Sequence, residues 1–337
     1  MATAPAYATV DQCAQALDIR ASAHQVPILA RLGQTASRGI DRITRRRFYP
    51  LTATRTWRVP ARSGELWLPD DLISASAVSF DGVAVTGYAL EPRFSGPPFN
   101  RLDLTDATIG YAAPSTVVSV TGDWGFRDDS ASAGALASSP DADDVTITVT
   151  DSSLVGIGDQ LTIGTERMVV TARALADTTA DLAGSLVAST AETSIPVTDG
   201  TKLHEGEFIT VDSEVMEVVA IASNTLTVRR AQDGSTLATH TNGAGISAPR
   251  LLTVVRAASG STAASHTAAA AITRNSPEPK IVEWCVAEVL VLIGQERAGF
   301  SMTVGEGDTQ QEATGAQFGK LRKEALDLYR RRKYGAV

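Results

Sequence analysis

Two of the four histidines in this 337-residue sequence, His240 and His266, stand in the same local pattern, Gly-Ser-Thr-x-Ala-x-His-Thr. Two carboxylates, Glu166 and Glu214, also occupy matched positions of an internal repeat. A histidine beside a carboxylate can bind a metal ion or move protons, so these pairs could form one such site per repeat unit. The alternative is that each histidine packs or hydrogen-bonds within its own unit, because duplication preserves structural positions as readily as functional ones. We favour that interpretation and predict no catalytic residue, no metal site and no cofactor.

Other patterns that would indicate enzyme chemistry are absent from the sequence. It contains no P-loop, no Gly-x-Ser-x-Gly, no His-Glu-x-x-His and no Gly-x-Gly-x-x-Gly after a strand. The acidic stretches 128–129 and 141–144 lack the ligand spacing of a calcium loop and indicate solvated linker. Phe208 is the only aromatic residue between positions 127 and 275, which argues against sugar recognition by that segment. We therefore expect a protein that is not an enzyme.

The internal repeat has two parts that differ in their spacing. Residues 147–172 match residues 195–220 at 10 of 26 positions, and residues 226–246 match residues 252–272 at 13 of 21 positions. Because the front halves come first and the back halves follow, we infer nesting. An inner unit of about 193–248 is inserted into an outer unit made of about 145–173 plus 250–274. Both alternate apolar and polar residues with glycine and aspartate at turns, which predicts two related small all-β units.

The charge distribution marks the middle of the chain as a separate module. The net charge of −8 arises there, because residues 127–275 carry 9 basic and 18 acidic side chains. The 12 basic and 11 acidic side chains of residues 1–126 nearly cancel, and residues 276–337 carry 9 of each. We predict a β-rich insertion at 127–275 within a helical core formed by 1–126 and 276–337.

The flanking segments predict helices at both ends and short strands between them. Thr9 and Gln12 form a capping-box pattern, and a second helix is expected to start near Pro27. Strands follow, with a turn at 69–71 and a hairpin around Asp81-Gly82. Apolar periodicity predicts two more helices at about 278–298 and 316–333. The predicted fold is therefore α+β, a small helical-bundle core with β-hairpin elements plus the inserted pair of nested all-β units.

Two basic clusters lie at the ends of predicted helices. Arg42, Arg45, Arg46 and Arg47 follow the second helix, and seven basic against two acidic residues fall within 315–333. Cations suit the C-terminal end of a helix dipole, which is the structural explanation for both clusters. The functional explanation is contact with an acidic partner or with nucleic acid, which would involve phosphates and be independent of base sequence.

Without the insertion, the sequence resembles the head-to-tail connector adaptors of tailed double-stranded DNA bacteriophages. The resemblance rests on the order of several short motifs and covers about 1–126 and 276–337. These are Arg-Arg-Arg-Phe-Tyr-Pro, Thr-Arg-Thr-Trp-Arg-Val, Leu-Trp-Leu-Pro-Asp-Asp-Leu-Ile-Ser, Phe80-Asp-Gly with a proline-rich loop, Val-Thr-Gly-Asp-Trp-Gly-Phe, an apolar helix and a basic C-terminal helix. The repeat insertion departs from the smallest members of that family.

The resemblance implies a structural role in the neck of a phage particle. Subunits would form a homo-oligomeric ring, a dodecamer in that family, below the portal vertex and around the DNA channel. Partners would be the portal protein, the next neck or tail-completion protein, and DNA only non-specifically. The implied portal-docking residues are Phe318, Leu321, Leu328, Tyr329, Arg330, Arg331, Arg332 and Lys333. The implied channel-facing residues are Arg42, Arg45, Arg46 and Arg47.

Two alternatives belong to other functional classes. A capsid- or host-surface-binding protein would act through the β-rich insertion, which we expect to project outward because its acidity would repel DNA phosphates. A metal-dependent hydrolase would use the matched histidines and glutamates. No apolar run is long enough for a membrane span, and the N-terminus lacks signal-peptide features. We expect synthesis in the host bacterial cytoplasm, a final location in the virion and no membrane partner.

Overall fold

The computed structural model describes residues 4–19, 24–59, 62–105, 112–297, 303–304, 311–312 and 316–331. The chain divides into two compact units. Unit 1 comprises Met1–Arg31, Ala131–Ala258 and Thr262–Arg274, and unit 2 comprises Leu32–Ser130, Ser259–Ser261 and Asn275–Val337. In the described part of the chain, no helix is long and apolar enough to cross a membrane.

The described residues form four α-helices and eighteen strands. The helices are α1 (Val10–Ala16), α2 (Gln25–Thr44), α3 (Pro279–Arg297) and α4 (Ala316–Tyr329). The strands before the insertion are β1 (Leu51–Arg58), β2 (Glu65–Phe80), β3 (Val83–Ala84), β4 (Tyr88–Glu91), β5 (Phe99–Leu104) and β6 (Val117–Trp124). The later strands are β7 (Ser130–Ala135), β8 (Thr146–Thr148), β9 (Gln160–Ile163), β10 (Glu166–Asp181), β11 (Ser194–Pro196), β12 (Phe208–Val211), β13 (Glu214–Ala222), β14 (Thr225–Gln232), β15 (Gly245–Val255), β16 (Ala271–Asn275), β17 (Thr303–Val304) and β18 (Gln311–Glu312).

The predicted helical-bundle core is wrong. The protein is built mainly on two large antiparallel sheets, with 41% of residues in strands and 21% in helices. The helices at the chain ends exist, but the segment between them forms one continuous six-stranded sheet instead of isolated hairpins. Long-range strand pairing, which local sequence patterns do not reveal, therefore decides the fold class.

The sheet of unit 2 has the strand order β1-β6-β2-β5-β4, with β3 paired to β2. Its inner face is fully buried at Leu72, Leu102, Val118 and Trp124, as the alternation of apolar residues in β6 requires. The turn predicted at 69–71 is wrong, because β2 runs through these residues and absorbs the proline as an irregularity in its pairing with β5.

The hairpin predicted around Asp81-Gly82 is confirmed. Phe80 pairs with Val83 across a two-residue turn, and Asp81 and Gly82 both have positive φ, as a type I′ turn needs. The predicted capping box is also confirmed, because Thr9 Oγ1 accepts the Gln12 amide proton at 3.2 Å and Gln12 Oε1 accepts that of Thr9 at 2.9 Å.

The helices of unit 2 share an apolar interface. Ile40 of α2, Trp284 and Val289 of α3, and Ala325 of α4 are all fully buried. Ser37 Oγ lies 3.5 Å from Cys285 Sγ in this interface, and the cysteine is a free thiol. The thiol therefore acts as a small buried group, as its place in an apolar helix predicts.

The ten-stranded sheet of unit 1 contains the repeat. Its order is β11-β14-β13-β12-β15-β10-β9-β16-β7, with β8 paired to β15. Residues at equivalent repeat positions have equivalent strand partners. Ile221 lies opposite Leu226 in the inner copy, and their counterparts Arg173 and Leu252 lie opposite each other in the outer copy. The matched strands therefore bring matched side chains to matched places, which makes the two copies directly comparable.

Candidate functional site: a basic groove and buried carboxylates

The C-terminal helix of unit 2, α4, is held at its C-terminal end by Tyr329 and by Arg331 just after it. The Arg331 guanidinium donates hydrogen bonds to the Pro69 and Leu68 carbonyl oxygens, both at 2.7 Å, and Arg331 N–H donates to the Thr44 carbonyl oxygen at 2.9 Å. Tyr329 packs edge-on against Phe48 and Phe126, with ring centroids 5.6 Å apart in each case. Main-chain bonds and aromatic packing thus join the end of α4 to the end of α2.

Two consecutive carboxylates organise this junction. Asp70 accepts hydrogen bonds from Arg47 at 3.0 Å and Arg55 at 3.3 Å, and Asp71 accepts one from Arg46 at 2.9 Å. Arg331 Nε also lies 3.4 Å from Asp71. Burial raises the pKa of Asp71, and the neighbouring Arg46 and Arg331 oppose that effect. The two candidate sequence clusters, about 285 positions apart along the chain, therefore meet at one acidic pair.

A basic groove of about 550 Å³ lies beside this junction. Its lining contains five arginines, two aspartates, Tyr49 and Pro69, and the arginines are Arg38, Arg42, Arg45, Arg46 and Arg47. Arg46 and Arg47 are turned toward the acidic pair. Arg42 and Arg45 are exposed, and within the described ranges neither side chain has an ion-pair partner. The groove therefore presents two uncommitted cations to solvent.

The predicted docking residues on α4 fall into two groups. Tyr329 and Arg331 are committed to contacts inside unit 2, and Phe318 and Leu321 are partly buried. Leu328 is 69% exposed, and Arg330 is exposed as well. Arg332 and Lys333 lie outside the described residues. One side of the last helical turn is therefore anchored, while the other offers an apolar side chain and a cation.

In each repeat copy of unit 1, the matched glutamate contacts the matched histidine and also an arginine that the sequence analysis did not identify. Arg256 Nε and Nη2 donate to the two oxygens of Glu166 at 2.7 and 2.8 Å, and His266 Nε2 lies 2.8 Å from Glu166 Oε2. In the inner copy, Arg230 donates twice to Glu214, both at 2.7 Å, and His240 Nε2 lies 2.9 Å from Glu214 Oε2. The identity of Arg230 and Arg256 within the repeat was the signal that could have identified them.

The surroundings of these glutamates suit a structural role, in which each holds an arginine side chain, better than proton transfer. Each carboxylate also accepts two main-chain N–H groups, from Ala257 and Ala264 in one copy and from Ala231 and Ala238 in the other. Burial raises the pKa of both glutamates, but the arginine, histidine and main-chain donors outweigh it and lower each pKa to about 2. A carboxylate with every oxygen occupied and so low a pKa is a poor general base at neutral pH.

A third charged centre of unit 1 is built around Glu207. Glu207 accepts hydrogen bonds from Arg250 at 2.7 and 2.6 Å and from the Ser152 main chain and hydroxyl at 3.0 and 2.8 Å. These donors and His204 lower the pKa of Glu207 to about 2, against the opposing effect of burial. Asp151, His204 and Glu207 offer ligand atoms within 4.8 Å of one another. However, the Arg250 guanidinium already neutralises Glu207 and would repel a cation, so this trio is a poor metal site.

Comparisons with known proteins give no relative. No family model, no curated protein and no solved structure matches this chain.

Proposed function

We propose that the protein is a structural head-to-tail adaptor that forms a ring under the portal vertex of a phage particle and joins head to tail around the DNA channel. The motif order of the two chain ends supports this proposal. The satisfied charge centres of the repeat also favour assembly over catalysis, because their carboxylates are occupied by internal donors. Since one subunit cannot enclose a channel, the function requires a closed cyclic assembly.

The observation that carries the proposal is the two-sided last turn of α4. Tyr329 and Arg331 fix the helix to its own unit, so the exposed Leu328 and Arg330 are presented on a rigid support. Arginine is enriched among the residues that dominate binding at protein interfaces, and here it stands beside an exposed apolar side chain. Arg42 and Arg45 of the basic groove add cations that could meet an acidic partner or DNA phosphates.

The test measures mass by light scattering for the protein alone and after mixing with portal rings from the same virion. We expect the wild-type chain to form a ring on the portal. The double variant Leu328→Asp/Arg330→Glu should weaken this association by about tenfold or more, because it removes the anchor and reverses the charge. Its design keeps Tyr329 and Arg331, so α4 should stay in place.

The control is Val83→Asp, which repeats the apolar-to-aspartate change at another exposed residue of unit 2, 71% exposed at the β2–β3 hairpin. This variant should bind portal normally. A wild-type chain that ignores the portal would overturn the proposal and favour the capsid- or host-surface-binding alternative through unit 1.

A further inference from the structure

The N-terminal segment of unit 1 fills a socket on the outer repeat copy. Ala6 N–H donates to the Gly158 carbonyl oxygen at 2.9 Å, and Val10 N–H donates to that of Ile157 at 3.1 Å. Glycine is required at the contact, since a Cβ on Gly156 would lie 2.6 Å from Thr9 Cβ. We call residues 6–10 the arm and residues 156–159 the outer socket.

The inner copy contains the equivalent loop, and within the described residues no arm lies on it. One contact position differs, because His204 stands where the outer loop has Gly156, so a segment bound here needs glycine at the position of Thr9. Gly206, the equivalent of Gly158, donates to Val218, and Val218 donates back to Glu207, just as Gly158 and Asp159 bond with Val170 in the outer copy. The carbonyl oxygens of Glu205 and Gly206 are the equivalents of the two that receive the arm. Within the described part of the chain, neither accepts a hydrogen bond. We call residues 204–207 the inner socket.

The solvent exposure of the two sockets differs as expected if the arm covers only the outer one. Gly158 and Ile157 are buried beneath the arm, whereas Gly206 and Glu205 are exposed. A groove of about 580 Å³ opens at the inner socket. Phe208 and Pro249 line it on the β-sheet side, and Ala14 and Ile19 line it from α1 and the turn that follows. The groove thus combines unsatisfied main-chain acceptors with apolar walls, as a site for an extended peptide does.

The inner socket differs from the outer one in charge. Ile157 and Val169 of the outer copy correspond to Glu205 and Glu217, and Arg173, which binds Asp11 of the N-terminal segment at 2.6 Å, corresponds to Ile221. Four acidic residues and one basic residue line the groove. Three of the acidic ones are paired with Arg173, Arg250 or Arg229, but Asp18 has no ion pair within the described ranges.

We propose that the inner socket binds an extended segment of a partner protein, with glycine opposite His204, small side chains where it crosses Gly206 and a cationic side chain for the acidic groove. The segment would donate main-chain N–H groups to the Glu205 and Gly206 carbonyl oxygens, as the arm does in the outer copy. An acidic residue like Asp11 would be unfavourable here, because Ile221 replaces its arginine partner. This inference does not depend on the adaptor proposal.

The probes are two synthetic peptides added to the full-length protein. Both have the sequence of residues 4–12 with glycine in place of Thr9, Ala-Pro-Ala-Tyr-Ala-Gly-Val-Asp-Gln, so that they can pass His204, and the second also carries lysine in place of Asp11. The chain's own arm should keep the outer socket, because its tether gives it an effective concentration of about millimolar. Calorimetry should therefore detect one site, with the lysine peptide bound about threefold or more tightly and with a stronger salt dependence.

Two variants locate the site. Gly206→Val should weaken binding of the lysine peptide by about tenfold, because a branched side chain blocks the close approach of the peptide main chain. As this substitution also strains a residue with positive φ, Asp18→Lys on the opposite wall is the second test. It should remove the preference for lysine over aspartate.

Asp143→Lys is the matched control, since Asp143 is an exposed aspartate of unit 1 outside the groove. It should retain the lysine preference and the affinity. Failure of both peptides to bind would overturn the proposal. Binding that is unchanged in both Gly206→Val and Asp18→Lys would also overturn it, because the peptide would then occupy another surface.

Discussion

Each glutamate in the duplicated charge centres holds an arginine that would be very costly to bury alone. The Arg230 and Glu214 side chains are both fully buried, and the pair is completed by His240 and main-chain donors. Both copies contain the arginine, the glutamate and the histidine. Asp212, which adds a second contact to His240 at 2.7 Å, is replaced by Gly164 in the outer copy. The conserved arginine and glutamate are therefore the essential pair, and the second contact to histidine is optional.

The first prediction concerns Glu214→Gln. This variant should lower the free energy of unfolding by about 3–5 kcal/mol, because it removes the carboxylate that accepts two hydrogen bonds from the buried Arg230 and leaves only Glu192, 3.8 Å away, as a counter-ion. Chemical denaturation followed by circular dichroism measures the change, and Glu166→Gln should behave alike in the outer copy. Glu217→Gln is the control, since its partner Arg229 is 64% exposed and such pairs contribute about 1 kcal/mol or less. A loss no larger than the control's would contradict the buried-pair argument.

The second prediction concerns Asp159, which occupies the outer position equivalent to Glu207. Among the described residues no arginine donates a hydrogen bond to it as Arg250 does to Glu207, and burial raises the pKa of Asp159 to about 6, against an ordinary value of 3.8. The folded state thus holds this proton more tightly than the unfolded chain. The resulting stability is complete below about pH 3.8 and is lost as the pH rises through about 6.

Asp159→Asn should therefore raise the free energy of unfolding at pH 8, by at most about 3 kcal/mol, and change little near pH 3.5. Its amide oxygen can still accept the Gly156 N–H bond that Asp159 Oδ2 accepts at 2.8 Å. Glu207→Gln should have the opposite effect on stability at pH 8. The pKa of Glu207 is lowered to about 2, so its carboxylate stabilises the folded state at pH values above its ordinary pKa of 4.5. Equal effects of Asp159→Asn at both pH values would contradict the raised pKa of Asp159.

Among the elements, those defined by local signals were predictable. The Thr9 capping box, the Asp81-Gly82 hairpin and the terminal helices each depend on neighbouring residues, and the structure contains all of them. A turn was predicted at 69–71 because proline followed by two aspartates is typical of a turn, but β2 runs through these residues. Here the strand continues because Asp70 and Asp71 are held by arginines from distant segments, a contact that local sequence does not encode.

The third prediction tests how α4 is held. Arg331→Ala removes hydrogen bonds to the Leu68 and Pro69 carbonyl oxygens and leaves Asp71 with one arginine fewer. Hydrogen exchange in α4 should become about tenfold faster or more, because a bond to a charged group contributes about 1.5–3 kcal/mol. Arg330→Ala, one residue earlier and exposed, should leave the exchange rates unchanged. Equal protection in both variants would show that the aromatic contacts of Tyr329 hold the helix by themselves.

At the scale of the whole molecule, the repeat was the most informative feature of the sequence. Comparing its two copies residue by residue identifies Glu166, Glu214, His240 and His266 as matched positions. The sequence could not show that the acidic pair at 70–71 joins the two basic clusters, since those contacts span up to about 260 positions of sequence. It also led to the wrong fold class, because the pairing of β1, β2 and β6 depends on non-local register.

The last prediction concerns the unfolding of the two units. Each has its own buried core, one around Ile209, Met216 and Leu226 and the other around Leu72, Leu102 and Trp124. Separate cores favour separate cooperative transitions, so calorimetry should resolve two. Glu214→Gln should lower only the transition of unit 1, and Arg331→Ala only that of unit 2, by about 2–4 °C per kcal/mol lost. The double variant should show both shifts at their single-variant sizes, because Glu214 and Arg331 share no partner in the described part of the chain. A single transition that moves with either substitution would mean that the units unfold as one body.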